Sequence, residues 1–163
     1  MPPDLSEHDL LVALLTLHNA IQRRGDAFFQ SFGLTDAQFN ILNLVALSDG
    51  PMDQLALTDR LLVGKSSVSI VLNRMVNADL IRRDDHPRDR RRVVLILTRK
   101  GRDLWRRIAP QYDRGVRTIF GALPRKRRES LLDDLEILYA ALKRSGGDKS
   151  PLTLREILRQ HAP

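Results

Sequence analysis

The segment Leu80–Gly101, LIRRDDHPRDRRRVVLILTRKG, constrains this chain more than any other. Three consecutive arginines, Arg90, Arg91 and Arg92, stand between a turn signal and the apolar, β-branched run Val93–Leu97. Pro87 has no N–H to give a central ladder, so Asp84–Arg90 reads as a hairpin tip. Leu80–Arg83 reads as the start of one strand and Arg92–Leu97 as the other. Upstream, Lys65–Ala78 reads as a helix with a polar face of small hydroxyl residues. A helix followed by a basic hairpin predicts a winged helix-turn-helix. That fold lays a helix in the major groove and brings an arginine tip to the backbone or minor groove of duplex DNA.

The rest of the chain supplies helices around this core. Apolar residues recur at helical spacing from Ser6 to Phe32, with Ser6 and Asp9 as a capping signal. They cover more than one stripe, which predicts burial on more than one side, by the chain's own domain or by a partner. Gly33 reads as a stop. Thr35 and Gln38 form a capping box for a helix over Asp36–Leu47. Ser48–Met52, with Gly50-Pro51, reads as a turn. Asp53 caps a short helix over Gln54–Leu62, and Val63-Gly64 turns into the Lys65–Ala78 helix, which completes a helix-turn-helix. Thr98 caps a long helix to Phe120, Gly121–Pro124 breaks it, and Arg125–Arg144 is another. Ser145–Pro151 reads as a linker and Leu152–Arg159 as a last amphipathic piece.

The expected fold is mainly α with a small β-hairpin wing: a winged helix-turn-helix core between long N- and C-terminal dimerisation helices. The expected division is 1–32 for the N-terminal dimerisation helix, 33–99 for the DNA-binding region, 100–145 for the C-terminal dimerisation helices and 146–163 for the linker and tail. Long helices with broad apolar faces at both ends predict a homodimer of twofold symmetry reading a pseudo-palindrome.

On the proposed recognition helix, Val68, Val71, Leu72 and Met75 face the core. Lys65, Ser66, Ser67, Ser69, Ile70, Asn73 and Arg74 are left for DNA. Lysine reaches phosphate or guanine, serines let the helix sit close in the groove, and isoleucine can press on a thymine methyl. In the wing the candidates are Arg88, Arg90, Arg91 and Arg92. Alternation along the strand sends Arg90 and Arg92 one way and Arg91 the other, and Asp89 is expected to brace the tip. The competing reading is a solvated charge run. Against it, like charges packed this densely repel one another, and a phosphate backbone offsets that cost. The net charge of +7, from 27 Lys and Arg against 20 Asp and Glu, suits a polyanionic partner.

Other chemistry finds little support. No cysteine is present, which excludes disulfides, thiol redox sensing and cysteinyl metal sites. His8, His18, His86 and His161 form no close ligand pair, and no nucleophile elbow, phosphate-binding glycine loop or paired carboxylates stand out. An enzyme, a metal and a cofactor are therefore not expected. No stretch reaches the roughly 18 apolar residues of a membrane span, nor does the N-terminus read as a signal peptide, so a cytoplasmic location is expected.

The order and spacing resemble the MarR family of bacterial winged-helix regulators over roughly Leu10–Leu142. The sharpest match is His86-Pro87-Arg88-Asp89-Arg90-Arg91 followed by Leu97-Thr98-Arg99-Lys100-Gly101, against the family's Asp-Pro-x-Asp-Arg-Arg and Leu-Thr-x-x-Gly. Leu34-Thr35-Asp36-Ala37-Gln38-Phe39, Leu55-Ala56 and Val63-Gly64-Lys65 match further stations. The resemblance implies a homodimeric repressor of short inverted repeats, released by a small aromatic or anionic effector. That effector enters a cleft between the dimerisation helices and the reading head. Candidate cleft residues are His18, Arg24, Phe28, Phe39 and Asn43, with plain interhelical packing the favoured reading for the two Phe. It implies that Asp89 braces the wing loop and Arg91 reaches the minor groove. Gly64 departs from a usual capping Ser, Ile70 from a frequent Arg, and Asp79 from a usual Gly at the end of the recognition helix. His86 stands for an acid. Two other functions remain open: a constitutive or architectural DNA-binding protein without an inducer, and a winged-helix protein-interaction module.

Overall fold

The computed structural model describes residues 5–61, 65–86, 89–146 and 152–161; at 59, 65–67, 90–91 and 160–161 it describes the backbone alone. Helix α1 (Glu7–Gln30) begins at the capping box of Ser6 and Asp9, and α2 (Asp36–Ala46) at that of Thr35 and Gln38. Both starts satisfy N–H groups that the helix itself leaves unpaired. Gly33, at φ 71°, ends the first helix by turning the chain where an L side chain is strained. Strand β1 (Met52–Asp53) leads into α3 (Gln54–Arg60), whose N-cap Asp53 accepts from the Leu55 and Ala56 N–H groups. Helix α4 (Lys65–Asn77) follows, then strands β2 (Ile81–His86) and β3 (Asp89–Leu97). Long helices α5 (Arg99–Phe120) and α6 (Arg125–Arg144) and a short α7 (Leu154–His161) complete the chain.

Two sequence readings need correction here. Met52–Asp53 is a strand, not the end of a turn and a bare cap: it pairs antiparallel with β3, Met52 opposite Leu95 and Asp53 opposite Val94. The hairpin is also longer than expected. Pairing runs from Ile81 opposite Leu97 to His86 opposite Asp89, with an irregularity at Asp85/His86, so Asp84–His86 and Asp89–Arg90 are strand rather than tip. Charged residues keep their place in the ladder because one face of this ribbon stands in solvent and only the backbone must pair.

The core joins one face of each element of the reading head. Phe29, Phe39, Leu42, Leu57, Leu72, Met75, Leu95 and Ile108 are all nearly inaccessible. Phe39 stacks on Phe29 at 4.7 Å between ring centroids, and Tyr112 of α5 meets both. At the base of the wing, α5 starts against the end of α4. Thr98 Oγ1 donates to the Asp79 carbonyl at 2.6 Å, its N–H donates to Leu80 O at 3.1 Å, and Lys100 Nζ donates to Ala78 O at 2.8 Å. Asp79, where the resemblance expects a Gly, lies at φ 55° in the left-handed region.

Outside the reading head the helices are open. Phe29 is the only residue of α1 that is buried, while Leu10, Leu11, Val12, Leu15 and Leu17 are each about half exposed. Helix α6 buries none of its described residues and leaves Leu131, Ile137, Leu138 and Leu142 in solvent. An apolar surface of this extent marks an interaction face.

Candidate nucleic-acid interface

Helix α4 sorts its side chains as the periodicity predicts. Val68, Leu72 and Met75 are buried and Val71 is half-buried against the core. Ser69, Ile70, Asn73 and Arg74 are exposed together on the other side, Ile70 at 56%. Their spacing of one, three and four residues keeps them on one face of a helix. The side chains of Lys65, Ser66 and Ser67 fall outside the described residues.

In the wing, Arg88 lies outside the described residues, as do the side chains of Arg90 and Arg91. Asp89 is exposed, and an interaction engages it. Arg92 is where expectation and structure part. Its Nε donates to Asp53 Oδ2 at 2.8 Å, across from β3 to the start of α3. The sequence counted Arg92 among four wing candidates that cannot all serve DNA, with Asp89 as the expected acidic partner. The acid that takes Arg92 is Asp53, so part of its donor fork already holds the scaffold. Asp53 therefore does two things: one oxygen caps α3 and the other takes the wing arginine. The Arg92 hydrogen bond is the largest cause holding the Asp53 carboxyl below its usual range, with the Ala56 and Leu55 N–H groups adding to it against a burial penalty. Arg83 Nε donates to Gln54 Oε1 at 3.3 Å beside it. These ties fix the wing relative to the helix-turn-helix. Sequence reasoning saw the cap at Asp53 and missed the bond to Arg92.

That double role gives a testable split. Asp53→Asn keeps an oxygen for the cap and loses the charge; Asp53→Ala loses both. The alanine variant is expected to be less stable than the asparagine variant by about 1 kcal/mol in chemical denaturation. Equal losses would contradict the cap's share.

The five cleft candidates do not behave alike. Phe39 is fully buried in the aromatic core and lines no cleft, so packing is its role. Phe28 packs edge-on against Phe29 and Phe32. Asn43 accepts from Trp105 Nε1 at 3.0 Å. His18 and Arg24 stand exposed on α1. Near the aromatic cluster, burial and the neighbouring Asp26 charge push the Asp36 carboxyl above its usual range, and burial and Asp36 push Tyr112 up. A carboxylate in that position repels an anion. A cavity of about 290 Å³ opens elsewhere, behind the wing. Val45, Ala46, Pro51, Leu95 and Leu97 are among its walls, and Arg102 lies in its lining. Among the described residues, no group of three or more His, Cys, Asp or Glu is placed to hold a metal ion.

Residues 32–92 match the family model described as MarR family. The chain is 26% identical over 133 residues to the HTH-type transcriptional regulator FarR of Neisseria gonorrhoeae, covering 82% of this chain and 90% of that protein. It superimposes on AbsC, a MarR family transcriptional regulator from Streptomyces coelicolor, with a TM-score of 0.76, 26% identity and coverage of 86% of this chain and 97% of that one. The chain is similar to the MarR family in its winged helix-turn-helix core, residues 32–92, and in its fold. Its role is that of a DNA-binding regulator. A second MarR family structure, Sco3205 from Streptomyces coelicolor in complex with DNA, matches with a TM-score of 0.75 at 25% identity over 91% of this chain and 96% of that one.

The structure gives a local reason for the Leu-Thr-x-x-Gly motif. A Cβ on Gly101 would lie 1.9 Å from the Leu80 carbonyl oxygen, and the Thr98 hydroxyl accepts from the Gly101 N–H at 3.0 Å. Only glycine allows α5 to start so close to the end of α4. The resulting joint carries the wing. No described helix of the chain is long and apolar enough to cross a membrane.

Proposed function

We propose that this chain is a homodimeric repressor that binds a short inverted-repeat operator and lets go when a small molecule binds. The observation that carries the reading is the sorting of α4: apolar residues inward, and Ser69, Ile70, Asn73 and Arg74 together outward beside a braced basic hairpin. In this reading α4 enters the major groove. Lys65, Ser66, Ser67 and Ser69 contact phosphates or base edges there, and Ile70 meets a thymine methyl. Arg88, Arg90 and Arg91 serve the backbone or minor groove, with Asp89 bracing the tip. Arg92 divides itself between Asp53 and the duplex. The DNA complex of Sco3205 supports carrying this mode of binding to the present chain.

The open apolar faces of α1 and α6 support the dimer, with residues 1–32 and 100–145 as its interface and 33–99 as the reading head. The effector is a small aromatic or anionic molecule. The cavity lined by Arg102 offers apolar walls and a cation, where the Asp36 neighbourhood offers the wrong sign of charge for an anion.

Selection of bound sequences from a random duplex pool tests the reading. The expected result is an inverted repeat with half-site centres one helical turn apart, about 10–10.5 bp, and displacement of the protein from that duplex by some members of a panel of small aromatic acids. A single non-repeated site would contradict the dimer. Retention on DNA across the whole panel would favour the constitutive alternative. No enrichment of any sequence would favour the protein-interaction alternative.

A further inference from the structure

The last helix, α7, is tied at its N-terminus to α6. The Arg155 guanidinium pairs with Asp133, the Arg155 N–H donates to Glu136 Oε2 at 3.1 Å, and Lys143 Nζ donates to Leu152 O at 2.9 Å. The start of α7 is itself fixed by Thr153 and Glu156, each accepting from the other's backbone N–H at 2.7 and 3.2 Å. A carboxylate from α6 taking an N–H of the first turn also complements the positive end of the α7 dipole. Leu154 and Ile157 are half-buried. Helix α7 also approaches the reading head: Cα atoms of α7 lie within 8 Å of Cα atoms of α3. One eight-residue helix thus touches both a long C-terminal helix and the helix on which α4 packs. Its ties use Asp133, Glu136 and Lys143 of α6 and leave Leu131, Leu138 and Leu142 exposed for another partner.

We propose that α7 is a strap that holds the reading head at a set distance from α6, and that Arg155 is a positioning residue for DNA recognition. The inference rests on the dimeric-regulator reading above. In a dimer the two reading heads must match the spacing of two half-sites. A head joined to the long helices through α1 and α5 alone samples more positions than one also joined through α7. Apparent affinity falls by the fraction of heads in the competent position, and discrimination between spacings falls with it.

The test compares wild-type protein, a chain lacking residues 147–163, Asp133→Arg, Arg155→Asp, and the double swap Asp133→Arg with Arg155→Asp. Binding is measured on the selected operator and on versions with its half-site spacing changed by one and two base pairs. Wild type is expected to prefer one spacing sharply. The truncated chain and the single charge reversals are expected to bind that spacing about 5–10-fold more weakly and to discriminate less between spacings. The double swap restores the sharp profile, which a residue serving fold stability alone would not do at constant thermal stability. Should the truncated chain fail to dimerise, the two exposed single reversals decide. An unchanged spacing profile in the reversals overturns the strap while leaving the regulator reading intact, since the wild type still selects its operator. Tighter binding by the variants also overturns it. A wild type that prefers no duplex defeats the regulator reading instead.

Discussion

Gly101→Ala is expected to destabilise the protein by about 3 kcal/mol or more, at the upper end of what inserting one methyl into a packed site costs. The new Cβ would meet the Leu80 carbonyl oxygen at 1.9 Å and its carbon at 2.8 Å. Neither atom belongs to a side chain that can turn away. The backbone on both sides is held: Thr98 bonds to Asp79 and Leu80, and Lys100 to Ala78. Relief requires α5 to lift from the end of α4, and that breaks the bonds which set the wing's angle. At fixed protein concentration the melting temperature should fall by roughly 6–12 °C for a chain of this size. DNA affinity should fall along with it even where the protein is still folded, because the joint bears the hairpin. A melting temperature within about 2 °C of wild type would mean the close approach is not needed.

Ile70→Glu is expected to leave the fold unchanged and to weaken operator binding by about 100-fold or more. Ile70 is 56% exposed on α4, so little packing is lost, and glutamate is the better helix former. In the proposed complex the new carboxylate faces the duplex, where like charges placed together cost several kcal/mol. The opposite change sharpens the test. Ile70→Arg is expected to tighten binding to both operator and random duplex and to steepen its salt dependence by about one counterion per subunit. Isotherms that overlay the wild type for both variants would remove α4 from the interface.

The same helix shows why much of this protein is legible in its sequence. Apolar spacing at Val68, Leu72 and Met75 is a local signal, and those residues are the buried ones. The capping boxes at Ser6 and Thr35 are equally local, and both form. Helix α5 runs to Phe120 as its pattern predicts, with Pro110 inside it. What failed to show is non-local. Two residues are too few for a period of two, so Met52–Asp53 becomes a strand only through β3, more than forty residues on. Charged residues at Asp84–His86 read as a tip because their strand character comes from backbone pairing, not from their side chains. The partner of Arg92 is hidden for the same reason: nothing near it in the chain announces Asp53. Phe39 is a cleft candidate with packing as its favoured reading, and packing is what it does: Phe29 and Tyr112 close over it. The tail read as an isolated amphipathic piece, and its partners on α6 and α3 lie far away in sequence.

The central claim is that recognition helix and wing hold one duplex together through many phosphate contacts as well as base edges. Titrating the wild-type protein against its selected operator from 50 to 200 mM salt tests it most directly. If about 6–10 phosphates are engaged by the dimer, affinity falls by roughly 10³–10⁵ over that range, and Arg91→Ala makes the fall shallower by about one contact per wing. Affinity that barely changes with salt, or a slope that Arg91→Ala leaves untouched, would contradict the claim.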